Sequence, residues 1–207
     1  SLAFLPGNDG VDLRVTARGQ REETERLLSE AAALLRERAG SVVYGEGDDD
    51  LAALMLRACD ERHATIAVAE SCTGGMLGAR LTAIPGSSRV FQGGVIAYSN
   101  DVKIRELSVA ASDIDLHGAV SESVARAMAT AVRQRFGASI GLSITGIAGP
   151  DGGTEDKPVG TVWVGLDMKG DVHAARAVLP GNREEIRHRG TQLALDHLRR
   201  AFERTRR

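Results

Sequence analysis

The clearest alternation of apolar and polar positions lies in the middle of the chain. Thr65-Ile66-Ala67-Val68-Ala69 is a short apolar run bounded by polar residues, the mark of a buried strand. Helical spacing follows from Met76 to about Ile84, within a segment read as helix over 73–84, and a Pro85-Gly86-Ser87-Ser88 turn closes it. Val90–Tyr98 is strand-like, with an interruption at Gly93-Gly94. A short helix is expected from Val102 to Leu107, then a loop through His117-Gly118-Ala119. Ser121 opens a helix with a stripe of Val124, Ala127, Met128, Ala131, Val132 and Phe136. Residues 139–145 form another strand, and the glycine-rich loop 146–157 is too broken for a regular element. Val159–Asp167 and Val172–Leu179 read as a hairpin across Lys169-Gly170. A last helix starts at the cap Asn182 and runs to the C-terminal arginines, with Arg199–Arg207 as its end and fray.

Upstream, residues 11–17 alternate like a half-exposed strand. A helix from Gln20 to Ala39 carries Leu27, Leu28, Ala31, Leu34 and Leu35 on one face, and Ser41-Val42-Val43-Tyr44 reads as a further strand. This β-α-β fragment, residues 1–46, is small for an independent domain, and Gly45-Glu46-Gly47 serves as linker to a second domain over 47–207. The start at Ser1 points to a piece of a longer chain. The fold expected for 47–207 is a three-layer α/β/α sandwich with a mixed, mostly parallel sheet, the hairpin supplying the antiparallel part.

Composition narrows the function classes. A formal charge of −2 leaves no basic footprint for direct nucleic-acid binding, and 3% aromatic residues argue against a base-stacking platform. No apolar run approaches the roughly 20 residues that cross a bilayer, and Cys59 and Cys72 have neither zinc nor disulfide spacing, so a reducing, cytoplasmic setting is expected. The five histidines lie singly; His188 and His197 are expected to face solvent, and no metal or cofactor motif is present. Asp48-Asp49-Asp50 reads as a helix cap rather than a metal site. The P-loop pattern is missing.

Serine, tyrosine and lysine remain. Ser71 ends one strand and Tyr98 another, with Lys103 about one turn into the following helix, so parallel strands would gather them with Thr145 at one sheet edge. Each has a plainer use: Ser71 as a helix cap, Tyr98 as an edge-strand aromatic, Lys103 as a solvated residue, Thr145 as a strand end bonded to its own turn. Lysine acts as a base only when neutral, and bringing its pKa to near neutrality costs about 4 kcal/mol, which requires burial or a cationic neighbour. Arg183 in a first helical turn opposes the helix dipole, which favours an anion-binding role.

Six stretches carry a resemblance. A-E-S-C-T-G-G (69–75), P-G-S-S (85–88), G-G-V-I-A-Y-S-N (93–100), H-G-A-V-S-E (117–122), T-G-I-A-G-P-D-G-G-T (145–154) and K-P-V-G-T-V-W (157–163) occur in order. Together they resemble the C-terminal domain of the competence-damage-inducible protein A family, which includes nicotinamide mononucleotide deamidases. The resemblance implies a metal- and cofactor-free amide hydrolase that converts nicotinamide mononucleotide to nicotinate mononucleotide and ammonia in pyridine nucleotide recycling. In this reading Ser71 is the nucleophile, Lys103 the base, and Tyr98 relays or orients the proton. Thr145 and Arg183 position substrate, Arg183 through the 5′-phosphate. Backbone N–H groups near Thr73, Gly74 and Gly75 serve as oxyanion hole or phosphate cradle, and the neighbouring Asn100 and Gly146 are counted with the substrate site. A homo-oligomer with a small-molecule nucleotide substrate is expected, and residues 1–46 resemble the tail of an upstream connecting region. The alternatives are a non-catalytic nucleotide-binding or regulatory module linked to competence or the DNA damage response and, more distantly, a serine esterase.

Overall fold

The computed structural model describes residues 1–7 and 9–205; the last two arginines of the expected C-terminal fray lie outside the described residues. The chain divides into two compact units, Ser1–Asp48 and Asp49–Arg207.

In the first unit β1 (Leu2–Pro6) and β2 (Val11–Val15) pair antiparallel, and α1 (Arg21–Ala39) follows. The order is therefore β-β-α, not β-α-β. Ser41–Tyr44 is not a strand: Gly40–Val42 forms a 3₁₀ turn closed by the Val43 N–H on the Gly40 carbonyl. Gly40 has a φ of 56°, which turns the chain out of the helix into this turn. The leucine face of α1 stays largely exposed, and the helix has no buried residue.

The second unit holds a five-stranded sheet in the order β4-β3-β5-β6-β7, from β3 (Ile66–Glu70), β4 (Phe91–Ile96), β5 (Ile140–Gly146), β6 (Thr161–Met168) and β7 (Asp171–Val178). β4, β3 and β5 are parallel; β6 runs against β5, and β7 returns antiparallel to β6. β3 sits between two partners and is buried along its whole length, which explains its unbroken apolar run. The β6–β7 hairpin turns on Lys169 (φ 57°) and Gly170 (φ 99°), the two positive φ values that a tight two-residue hairpin loop requires.

Helices cover both faces. α2 (Leu51–Asp60), α3 (Met76–Thr82) and α7 (Arg183–Arg204) pack together on one side; α4 (Asn100–Leu107), α5 (Ala111–His117) and α6 (Glu122–Arg135) share the other. The sandwich expected from sequence is present. Asp50 caps α2 by accepting the Ala53 N–H, and Asn182 caps α7 in a reciprocal capping box with Glu185. The helix α5 replaces part of the expected loop before His117. Two further expectations are corrected on α7. His188 and His197 are not solvent-facing: both are half-buried, and burial lowers the His197 pKa. Arg199, assigned to the fray, is buried and paired with Asp196 and Glu203, whose carboxylates compensate its charge.

Candidate active site

Sheet register builds the site. Glu70, the last residue of β3, pairs with Ile96 on one side and Ile144 on the other. The pattern continues one step beyond the strands: the Ala97 N–H donates to the Glu70 carbonyl, and the Ser71 N–H to the Ile144 carbonyl. Ser71 and Ala97 thus leave the carboxyl ends of adjacent parallel strands side by side, where open α/β sheets hold their ligands.

Ser71 does not cap the helix that follows. α3 begins only at Met76, and its N-cap position is Gly75, with a φ of 96°. Glu70 caps instead: its buried carboxylate accepts the N–H groups of Gly75 (3.1 Å), Leu77 (3.0 Å) and Gly78 (2.8 Å). That arrangement consumes the helix N-terminus and leaves the Ser71 hydroxyl for other chemistry.

Lys103 approaches from α4 and is only 1% exposed. Its Nζ lies 3.1 Å from Ser71 Oγ, 2.8 Å from the Ala97 carbonyl and 3.3 Å from the Tyr98 carbonyl. Ser99 places it there by capping α4 through the Val102 N–H. Nζ donates to all three oxygens as an ammonium; as a neutral amine it keeps the two carbonyl bonds and its lone pair accepts the serine O–H. Burial pushes the Lys103 pKa below its ordinary 10.5, with Cys72 opposing, and no carboxylate pairs with the amine among the described residues. Cys72, next in sequence to Ser71, is no rival nucleophile, because burial pushes its thiol up to about 11.

The remaining expected residues divide. Tyr98 is 60% exposed, and its phenol receives a hydrogen bond from Arg183 Nη2 at 2.9 Å. Among the described residues its hydrogen bond with Lys103 is made by the main-chain carbonyl, and the phenol is bonded to Arg183 rather than to Ser71 or Lys103. Arg183 also donates to the Gly149 carbonyl at 2.6 Å, joining α7 to the 146–160 loop and to Tyr98. Thr145 is buried and donates its hydroxyl to the Ala119 carbonyl, which commits it to the fold. A Cβ on Gly146 would lie 3.1 Å from Cys72 Sγ and 2.9 Å from the Thr161 carbonyl, so this glycine admits the thiol next to Ser71. Asn100 is exposed at the start of α4.

Between Ser71 and α3 the backbone is tightly specified. The Gly74 N–H closes onto the Ser71 carbonyl and the Gly75 N–H onto Glu70, so neither is free for a ligand. The Cys72 N–H lies against its own thiol, and the Thr73 N–H makes no hydrogen bond among the described residues. Arg187, which sequence reasoning did not single out, donates from Nε to the Cys72 carbonyl (3.1 Å) and from Nη2 to the Thr73 carbonyl (2.8 Å). The only sequence signal for it is its place one turn after Arg183 on the same helix.

Fold and site together define an α/β protein with a buried serine–lysine pair at the carboxyl ends of two adjacent parallel strands. Residues 48–202 match the CinA C-terminal domain, and residues 1–45 match the KH domain of the damage-inducible protein CinA. The chain belongs to the CinA family. It is 71% identical over 204 residues to a CinA-like protein of Gemmatimonas aurantiaca, covering 98% of this chain and 48% of the relative. A CinA-like protein of Dictyoglomus thermophilum is 46% identical over 191 residues, 92% of this chain and 46% of that one. The chain therefore spans about half the length of these curated relatives. Among solved structures, competence damage-inducible protein A (ComA) of Klebsiella pneumoniae superposes with a TM-score of 0.72 at 33% identity, over 74% of this chain and 95% of that chain.

Proposed function

We propose that the second unit is a metal-independent amide hydrolase that converts nicotinamide mononucleotide to nicotinate mononucleotide and ammonia. The observation that carries this reading is the buried Lys103 amine 3.1 Å from Ser71 Oγ. Neutral Lys103 takes the Ser71 hydroxyl proton as Oγ attacks the carboxamide carbon. The tetrahedral oxyanion falls to a backbone donor beside the nucleophile, for which the Thr73 N–H, unbonded among the described residues, is suited. On collapse the C–N bond breaks, the Lys103 ammonium returns its proton to the leaving nitrogen, and ammonia departs. Water then hydrolyses the Ser71 ester by the same base, giving the carboxylate.

Arg183 suits the 5′-phosphate, since among the described residues two of its five N–H donors are engaged, and Tyr98 beside it shapes that rim. Two free thiols and no helix long and apolar enough to cross a membrane among the described residues support a cytoplasmic setting for this reaction.

Ammonia release from nicotinamide mononucleotide tests the reading. Ser71→Ala and Lys103→Met should each lower kcat by about 10⁶-fold, the scale seen when a nucleophile or its base is removed, while substrate still binds by calorimetry. Undiminished turnover in either variant rules out the pair as the engine. Binding without turnover in the unsubstituted protein would instead favour a nucleotide-binding module.

A further inference from the structure

We infer that Arg187 is a positioning residue for an oxyanion donor: by holding the carbonyls of Cys72 and Thr73, it aims the Thr73 N–H, two residues after Ser71. The inference rests on the reading of Ser71 as a nucleophile.

In a trans peptide the C=O and N–H point in opposite directions. The Cys72 carbonyl on Arg187 Nε therefore turns the Thr73 N–H away from the guanidinium. The Thr73 carbonyl on Nη2 turns the Gly74 N–H away as well, and that group meets the Ser71 carbonyl at 3.0 Å. With the Ser71 carbonyl so occupied, the Cys72 N–H of the same peptide faces the opposite way. Arg187 and the inner bond of the turn thus fix three successive peptide planes, and they leave the Thr73 N–H without a partner among the described residues, while the Cys72 N–H lies against its own thiol.

Two features mark this as more than loop packing. Arg187 has no carboxylate partner among the described residues, so its charge is spent on the two carbonyls and raises the donor strength of the peptides it grips. The turn is also anchored at its far end by Glu70, so the guanidinium clamps its middle and the carboxylate its exit. Arg183, one turn earlier on α7, reaches the substrate rim instead. The two arginines divide the work: one faces the ligand, the other the backbone.

The test compares Arg187→Ala and Arg187→Lys in two assays. The first is ammonia release from nicotinamide mononucleotide; the second is acylation of Ser71 by p-nitrophenyl acetate, a neutral ester without phosphate, followed by intact mass. Arg187→Ala should slow both kcat and acylation by about 100-fold, the cost of a misplaced catalytic geometry, with KM within about threefold of the parent. Arg187→Lys, able to hold one carbonyl, should recover part of each rate, and free guanidinium ion should partly rescue Arg187→Ala. A rise in KM with acylation unchanged would make Arg187 a substrate ligand and overturn the inference. Parent-like rates in both variants overturn it too, while leaving the nucleophile reading intact. If the unsubstituted protein neither acylates at Ser71 nor releases ammonia, the nucleophile reading fails, and this inference with it.

Discussion

Lys103 is pulled two ways. Burial disfavours its cation, yet its amine has three oxygen neighbours within 3.3 Å. Burial lowers its native pKa below the 10.5 of the unfolded chain, so between those two values the unfolded state holds the extra proton. Stability must then rise with pH across that interval. Below the native pKa both states are protonated, and the cost of burying the charge is fully present; above 10.5 neither is, and the cost is gone. The stability of the parent relative to Lys103→Met should accordingly climb as pH rises toward 10.5, by about 1.4 kcal/mol for each pH unit between the two pKa values. The proposed mechanism uses the neutral amine, and on it kcat/KM for ammonia release should rise through the same native pKa. Urea midpoints of both proteins at matched pH, set beside the activity profile, check this; a stability difference flat with pH contradicts it. Strand-end logic alone brings Ser71 and Lys103 together, because each position follows from its own local pattern. The orientation of Tyr98 is not local. Its phenol turns toward Arg183, 85 residues away, and its carbonyl toward Lys103, a distinction that no spacing encodes.

At the scale of elements, the turn from β3 into α3 converts a strand end into a reactive position. Gly74 and Gly75 take the positive φ values of 60° and 96° that let the chain double back, and Glu70 gathers three N–H groups at the start of α3. Removing that carboxylate leaves donors unsatisfied in a largely buried place, each worth about 1–3 kcal/mol and not additive. Glu70→Ala should therefore destabilise the protein by about 3 kcal/mol in urea denaturation and depress turnover through the loosened Ser71–Gly75 turn. A loss within about 0.5 kcal/mol, the range of an ordinary surface change, would show that Glu70 is not the anchor. The elements themselves were largely readable. β3, the β6–β7 hairpin and the Asn182 cap follow from an apolar run, a two-residue turn and a capping box, all local signals. The capping of α3 was not, since a serine at a strand-helix junction looks like a cap, and a glutamate inside the strand does not. Arg187 was equally hidden, because its partners lie 115 and 114 residues back in the chain.

At the scale of the whole molecule, the two units differ in how fully they cover their apolar surface. The second has a core running through α6, β3 and their neighbours. The first is a hairpin and a helix with Phe4 66% exposed and no buried residue in α1. Its organisation is also where sequence reading went astray: short runs such as Ser41–Tyr44 suit a strand or a turn equally, and only the tertiary setting decides. Each contact made by Ser71, Glu70, Lys103, Arg183 and Arg187 falls within Asp49–Arg207. Nothing in the proposed chemistry calls on the first unit. A polypeptide of residues 48–207 should therefore fold by circular dichroism and release ammonia from nicotinamide mononucleotide with kcat/KM within about twofold of the full chain, the tolerance for uncoupled parts of a protein. A loss beyond about tenfold, or about 1.4 kcal/mol of transition-state stabilisation, would mean that Ser1–Asp48 acts on the site itself.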